Sequence, residues 1–429
     1  MMEKFTEKLT DAAAVFENNK HLMVIKNAFV GIMGFIIVGS FATLFNAILC
    51  STTTGLARFS AFSWLANLSG MFSTINNAAM NILAIMIAVL MGFLYGKKNK
   101  VNEITSAMVC LVSFLCVSPM FTEVKVGEVV QTVGKVLPFS SINAEGLFAA
   151  MLISILASEM FYRLTKVEKI KIKMPPQVPK NIANTFNDLI PVALTILVIA
   201  GVGEGIRAVT GTYVTNIIYK LVQIPLQKVI TTPVGIVVMT FVSLLFWSVG
   251  VHGNQLIASV RSPLGASALA TNIALVEAGM AATEVYTGAM WTVFITMTGS
   301  GITLSLILAI LAFSKREDYR AIAKLGFVPG IFGVNEPIIF GLPIVLNPLM
   351  LVPFIFSGCL AAGVSYFAIA SGFLPCNYVA TPWGLPLFVN AFIAYGTWKA
   401  ILVQIIILAL CFLVYAPFVK AANHMKETE

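Results

Sequence analysis

The chain has 429 residues, 58% of them hydrophobic and only 11% charged, with a mean hydropathy of +0.91. An ordinary soluble domain carries about 25% charged residues, so the composition excludes a soluble globular protein and fits an all-α polytopic membrane protein. The net charge of +8 does not mark a nucleic-acid binder, because the cations cluster at the ends of apolar runs in the positive-inside pattern.

The lead-in over residues 1–27 is polar and mixed in charge. It has no early apolar core, so it reads as a cytosolic segment and not as a cleavable signal. Apolar runs long enough to cross a bilayer follow near 28–50, 76–95, 104–121, 145–164, 187–206, 232–249, 290–313, 348–370 and 399–419. The stretches 253–285, 326–346 and 373–397 are interrupted by Gly, Pro and polar residues, and read as re-entrant hairpins or broken helices. Residues 208–230 place Tyr213, Ile217, Leu221 and Ile224 against Lys220 and Lys228. This fits an amphipathic interfacial helix, or alternatively a short buried one.

Basic clusters orient the spans. Lys97, Lys98 and Lys100 follow the second, and Arg163, Lys166, Lys169, Lys171, Lys173 and Lys180 follow the fourth. Lys315, Arg316, Arg320 and Lys324 follow the seventh, and Lys420 and Lys426 the last. Loop 122–143 is balanced in charge. Both termini and the basic loops are therefore expected in the cytosol. The best linker is Glu168–Lys180, with Pro175, Pro176 and Pro179. Residues 1–230 have conventional spans and read as a scaffold and dimerisation domain. Residues 231–429 hold nearly all the broken apolar sequence. Irregular backbone at membrane depth is tolerated only where it is buried or lines a cavity, and transporters build substrate sites from it, so this half reads as the transport domain.

The six cysteines, Cys50, Cys110, Cys116, Cys359, Cys376 and Cys411, are scattered without CxxC or metal-ligand spacing, and fit small buried hydrophobes. No Gly-rich nucleotide loop is present. No cofactor and no metal are expected.

Three motifs can carry chemistry. Glu336 is the only charged residue between Lys324 and Lys399 and lies in the Gly/Pro-broken run Gly333-Val334-Asn335-Glu336-Pro337-Ile338-Ile339-Phe340-Gly341-Leu342-Pro343. A lone carboxylate facing lipid costs roughly 2.5–3.5 kcal/mol on insertion scales, so it should face a partner, a cavity or a ligand. A short helix over 338–342 is expected just after it. His252, in Trp247-Ser248-Val249-Gly250-Val251-His252-Gly253-Asn254, is the only imidazole outside the polar termini. Together the two could relay protons, or could hold and polarise a substrate hydroxyl; the bland alternatives are a helix cap and a satisfied core histidine. Trp383, in Thr381-Pro382-Trp383-Gly384-Leu385-Pro386, is framed rigidly and would suit the apolar face of a sugar ring or an interfacial anchor. Asn143 with Glu145, and Ser300 between Gly299 and Gly301, are weaker candidates that could simply start or kink helices.

At Gly250-Val251-His252-Gly253-Asn254, the Glu336 run and Thr381-Pro382-Trp383, the chain resembles the sugar-translocating EIIC subunits of the bacterial phosphoenolpyruvate-dependent phosphotransferase system, of the lactose/cellobiose/diacetylchitobiose type. The resemblance implies a homodimer of about ten transmembrane helices with re-entrant hairpins in the bacterial inner membrane. It implies a β-linked disaccharide substrate, phosphorylated on its 6-hydroxyl by a separate cytosolic EIIB subunit that bears a phosphocysteine and is charged by upstream phosphocarriers. Glu336 and His252 would lie at that hydroxyl and Trp383 on the sugar ring. Asn254, Asn335, Asn143 and Ser300 are the further candidate sugar contacts. The alternative reading is a proton-coupled secondary sugar transporter with Glu336 and His252 as the relay. An intramembrane hydrolase finds no nucleophile set or HExxH motif.

Overall fold

The structure, a computed structural model, describes residues 11–423 apart from 12, 13, 16, 17, 54, 127, 128, 173, 174, 176, 178, 179, 343, 345 and 346. Most of the lead-in, and Lys173, Pro176, Pro179, Pro343 and Lys426, lie outside the described residues. The chain divides into two compact units. One is built from Asn19–Gly39 and Leu68–Gln227, the other from Ser40–Asn67 and residues from Lys228 onward. Ser40–Asn67, counted with the first half in the sequence division, groups with the second unit.

Helix α1 (Lys20–Phe45) opens the first unit and passes into a π turn at Asn46–Cys50. Its start is fastened by an ion pair from Lys20 to Glu159 and by a 2.6 Å bond between His21 and the Tyr95 hydroxyl. The expected span 76–95 is a bent pair: α2 (Ser69–Met80) and α3 (Leu83–Asn99) meet at 42°. The break falls where Asn81 bonds the Asn77 side chain at 2.7 Å. Helix α4 (Glu103–Cys116) starts because the Asn102 side chain accepts from the Thr105 N–H at 2.9 Å, and Glu103 complements the helix dipole. It packs closely on α3. A Cβ on Gly92 would lie 2.7 Å from the Ala107 Cα, and one on Gly96 2.6 Å from the Glu103 Cα, the small-residue contact typical of membrane helices.

An antiparallel hairpin follows, β1 (Phe121–Val126) and β2 (Val129–Gly134), in register from Phe121 opposite Gly134 to Val126 opposite Val129. The expected span 104–121 therefore ends in β1 and the expected loop 122–143 holds the rest of the hairpin; β-branched residues alternating with polar ones mark the strands. Helices α5 (Leu147–Leu164) and α6 (Lys180–Thr210) complete the unit. Pro191 lies inside α6, and one turn later the buried Thr195 hydroxyl donates to the Pro191 carbonyl at 2.7 Å. Helical turns at Val214–Ile230, α7, correspond to the amphipathic stretch.

The second unit holds α8 (Pro233–Trp247), α9 (Gly253–Leu256), α10 (Ala258–Glu277), α11 (Thr303–Phe313), α12 (Glu317–Ile331), α13 (Glu336–Gly341), α14 (Pro348–Ala370), α15 (Val389–Tyr395) and α16 (Trp398–Ala422). Helix α14 packs between α8 and α16, and α16 also covers α11, around buried Phe354, Ile307, Ile310, Cys411 and Tyr415. Two expectations are corrected here. The span 290–313 is not continuous: after a π turn at Trp291–Ile295 the chain leaves the helix, and Gly299, Gly301 and Ile302 take φ of 89°, 74° and 54°. Conversely, within 253–285 the segment Ala258–Glu277 is one unbroken helix despite Pro263.

Two buried asparagines replace the helical ladder for the irregular segments. Asn377 donates to the carbonyls of Val379 (2.9 Å) and Ala394 and accepts from the Thr287 hydroxyl at 3.1 Å. Asn272 donates to the Asn377 carbonyl at 2.8 Å and accepts from the N–H groups of Thr283 and Glu284 at 3.0 and 2.8 Å. Backbone groups away from water must be paired, and these amides pair them.

Among the described residues, five helices are long and apolar enough to cross a membrane, or up to seven if each bent pair counts as one span. The expected count of about ten exceeds this number; the run 290–313, expected as one span, yields only the shorter apolar helix α11.

Candidate functional site

The polar residues of the second unit gather where its helices break. At the end of α8 the chain turns through Gly250, at φ 78°, and comes so close to α8 that a Cβ on Gly253 would run into the Ser243 carbonyl. Only glycine fits there. This fold-back lays His252 against Trp247, with ring centroids 4.5 Å apart. His252 also starts α9, its Nδ1 facing the Gln255 N–H at 3.4 Å.

Trp247 ties this turn to two others. Its indole N–H donates to the Ser300 hydroxyl at 3.0 Å, and its ring meets Phe340 edge-on at 6.3 Å. The Ser300 carbonyl in turn accepts from the Asn335 amide at 2.9 Å. The break around Ser300 is shaped for this. A side chain on Gly299 would strike the Asn335 amide and one on Gly301 the Phe354 ring, while the Tyr415 hydroxyl holds the Gly301 carbonyl at 2.6 Å.

Glu336 is the first residue of α13, which spans Glu336–Gly341 and so begins two residues before the expected 338–342. Its side chain is half-buried. Its Oε2 is buried with no hydrogen-bond partner among the described residues. An unmatched carboxylate oxygen in such a setting is costly, and in a native fold it asks for an explanation. Trp247, Ser300 and Asn335 thus link the turn that carries His252 to the one that carries Glu336, with Phe340 on the same short helix as the carboxylate.

The other expected residues sit differently. Asn254 is committed to the fold: its side-chain oxygen accepts from the Trp291 indole N–H at 3.0 Å. Trp383 lies in the turn after α14 and is 71% exposed, with Gly384 at φ 86°. Its segment is drawn back towards the Glu336 run by a 2.9 Å bond from the Leu387 N–H to the Ile331 carbonyl. No bond described here seats the Trp383 ring against His252 or Glu336. Asn143 belongs to the first unit, where its side chain accepts from the Glu145 N–H at 2.9 Å and caps a turn. Sequence reasoning missed Trp247 as the hub and Phe340 as its neighbour. One signal was available: Trp247 is one of only five tryptophans and stands just before the His252 motif.

A polar cluster assembled at helix breaks in a polytopic membrane protein is how transporters build their substrate sites. The family model of the phosphotransferase system EIIC matches residues 26–358. The chain is 30% identical to the oligo-beta-mannoside-specific EIIC component of Bacillus subtilis (strain 168), covering 99% of this chain and 95% of that one. It is 27% identical to the cellobiose-specific EIIC component of Lactococcus lactis subsp. lactis (strain IL1403), covering 100% and 98%. The crystal structure of the transporter ChbC, the IIC component from the N,N'-diacetylchitobiose-specific phosphotransferase system, aligns with a TM-score of 0.90 at 29% identity, covering 98% of this chain and 97% of that one. The chain therefore belongs to the phosphotransferase system EIIC family, the integral-membrane sugar permeases of that system.

Proposed function

We propose that the chain carries a β-linked disaccharide across the bacterial inner membrane and presents its 6-hydroxyl to a phosphocysteine on the EIIB subunit. The names of the similar proteins, specific for oligo-beta-mannosides, cellobiose and N,N'-diacetylchitobiose, support the sugar class. The observation that carries the chemistry is the unpaired Glu336 Oε2 beside the Trp247–Ser300–Asn335 cluster.

In this reading Glu336 accepts the hydrogen of the 6-hydroxyl and takes the proton as the oxygen attacks phosphorus. The sulfur–phosphorus bond breaks, the thiolate leaves with EIIB, and a phosphate monoester forms. His252, held on Trp247, orients the same hydroxyl. The exposed Trp383 ring packs on the apolar face of the sugar, while Asn254, Ser300 and Asn335 shape the site. The product carries charge the sugar lacked and cannot return through the apolar path. Both termini face the cytosol, and two copies pair through the first unit.

A binding panel tests the sugar class. Calorimetry on the purified chain should show cellobiose, diacetylchitobiose or lactose bound at least tenfold more tightly than the α-linked maltose, about 1.4 kcal/mol. Maltose bound as well as the best β-linked sugar would refute the assignment.

A further inference from the structure

Between Lys228 and Lys315 the chain has three charged residues, Arg261, Glu277 and Glu284. Arg261 stands in the first turns of α10, and its guanidinium lies over the Trp291 ring, 5.2 Å from the centroid. The other edge of that indole donates to Asn254, the near neighbour of His252. Arg261 is thus one aromatic ring away from the candidate sugar site.

Its charge is not matched inside the fold. Among the described residues no carboxylate pairs with it, and its buried Nε–H has no acceptor. Glu277, on the same helix, lies about 24 Å further along the axis. Tyr286 is fully buried and within electrostatic reach of Arg261, and its hydroxyl has no hydrogen-bond partner either. An arginine Nε–H and a phenol O–H, two buried donors that no described residue accepts, are thus electrostatic neighbours.

Stacking on Trp291 explains the position of the guanidinium but satisfies none of its N–H groups. A neutral hydroxyl would use one of them. A planar fork of five donors matches an oxyanion, above all a phosphate, through paired hydrogen bonds. The reaction assigned to this unit makes such a group from a neutral sugar. We infer that Arg261 and Tyr286 form an oxyanion subsite that holds the phosphoryl group of the newly phosphorylated sugar. The identity of that ligand rests on the proposed function; the oxyanion chemistry of the pair does not.

The test is calorimetry on the full chain in lipid nanodiscs with cellobiose, cellobiose 6-phosphate and inorganic phosphate. In the parent protein, cellobiose 6-phosphate should bind more tightly than cellobiose, and inorganic phosphate should compete with it. In Arg261→Gln the ratio of the two sugar affinities should fall at least tenfold and the competition should vanish, while Arg261→Lys keeps part of the preference. Tyr286→Phe preserves the ring and should lower the ratio two- to fivefold; it carries the test if Arg261→Gln lowers folded yield. A parallel loss for both sugars would show that Arg261 only props Trp291, and an unchanged ratio would show that it meets no phosphate; either result overturns the inference. If cellobiose fails to bind but phosphate still binds through Arg261, the sugar assignment falls and the subsite stands. If cellobiose binds and the phosphate preference ignores Arg261, the subsite falls and the sugar assignment stands.

Discussion

Glu336 combines a charge with an apolar neighbourhood and an oxygen that no described residue satisfies. Hydrogen bonds to charged groups contribute about 1.5–3 kcal/mol, so Glu336→Gln should weaken sugar binding roughly ten- to a hundredfold and suppress phosphotransfer in a protein that still folds. A 6-deoxy sugar should be nearly insensitive to the change, which titration of both sugars on both proteins would show. If the parent and Glu336→Gln bind and phosphorylate alike, the carboxylate is only a helix start. At Trp383 the expectation is graded: Trp383→Ala should bind sugar more weakly than Trp383→Phe at equal folded yield, and equal affinities would leave the ring as an anchor. Gly299 is a backbone test. Its φ of 89° and the Asn335 amide at its Cβ position predict that Gly299→Ala costs about 1–3 kcal/mol and disturbs the cluster, seen as a lower unfolding temperature. Glu336 and His252 were legible in the sequence because a single ionisable group in an apolar run stands out. Trp247 was not, since its bond to Ser300 joins residues 53 apart, and no local pattern encodes that.

The elements of the second unit work by stopping short. Segments 278–287 and 371–388 have no helical ladder, and Asn272 and Asn377 supply the missing bonds. Asn377→Ala would leave the Val379 and Ala394 carbonyls without the Asn377 amide donor and the Thr287 O–H without its acceptor. At about 1–3 kcal/mol for each unsatisfied buried group, the loss should exceed about 3 kcal/mol and show as a collapse of folded yield; wild-type thermal stability in this variant would contradict the clamp. Elements with strong punctuation were legible. Pro348 opens α14, and the helix runs to Ala370 as expected for 348–370. The break at 296–302 was not, because two glycines in an apolar run barely change its average hydropathy while their positive φ ends the helix.

At the scale of the molecule, composition was enough to show a membrane protein, and the motifs were enough to suggest the family. Hydropathy counts apolar length and does not see where short helices join, so the number of spans was less legible. The basic loops after the second, fourth and seventh runs predict a cytosolic face for residues 169 and 318, and cysteine labelling of either from outside the cell would overturn that orientation. The central claim is that this permease moves sugar by having it phosphorylated, and uptake into inverted or reconstituted vesicles with and without phosphorylated EIIB tests it most directly. The expected result is phosphorylated disaccharide in the donor-containing compartment and almost no accumulation when the donor is omitted. Accumulation of free sugar without the donor, abolished by an uncoupler, would contradict the account and make Glu336 and His252 a proton relay.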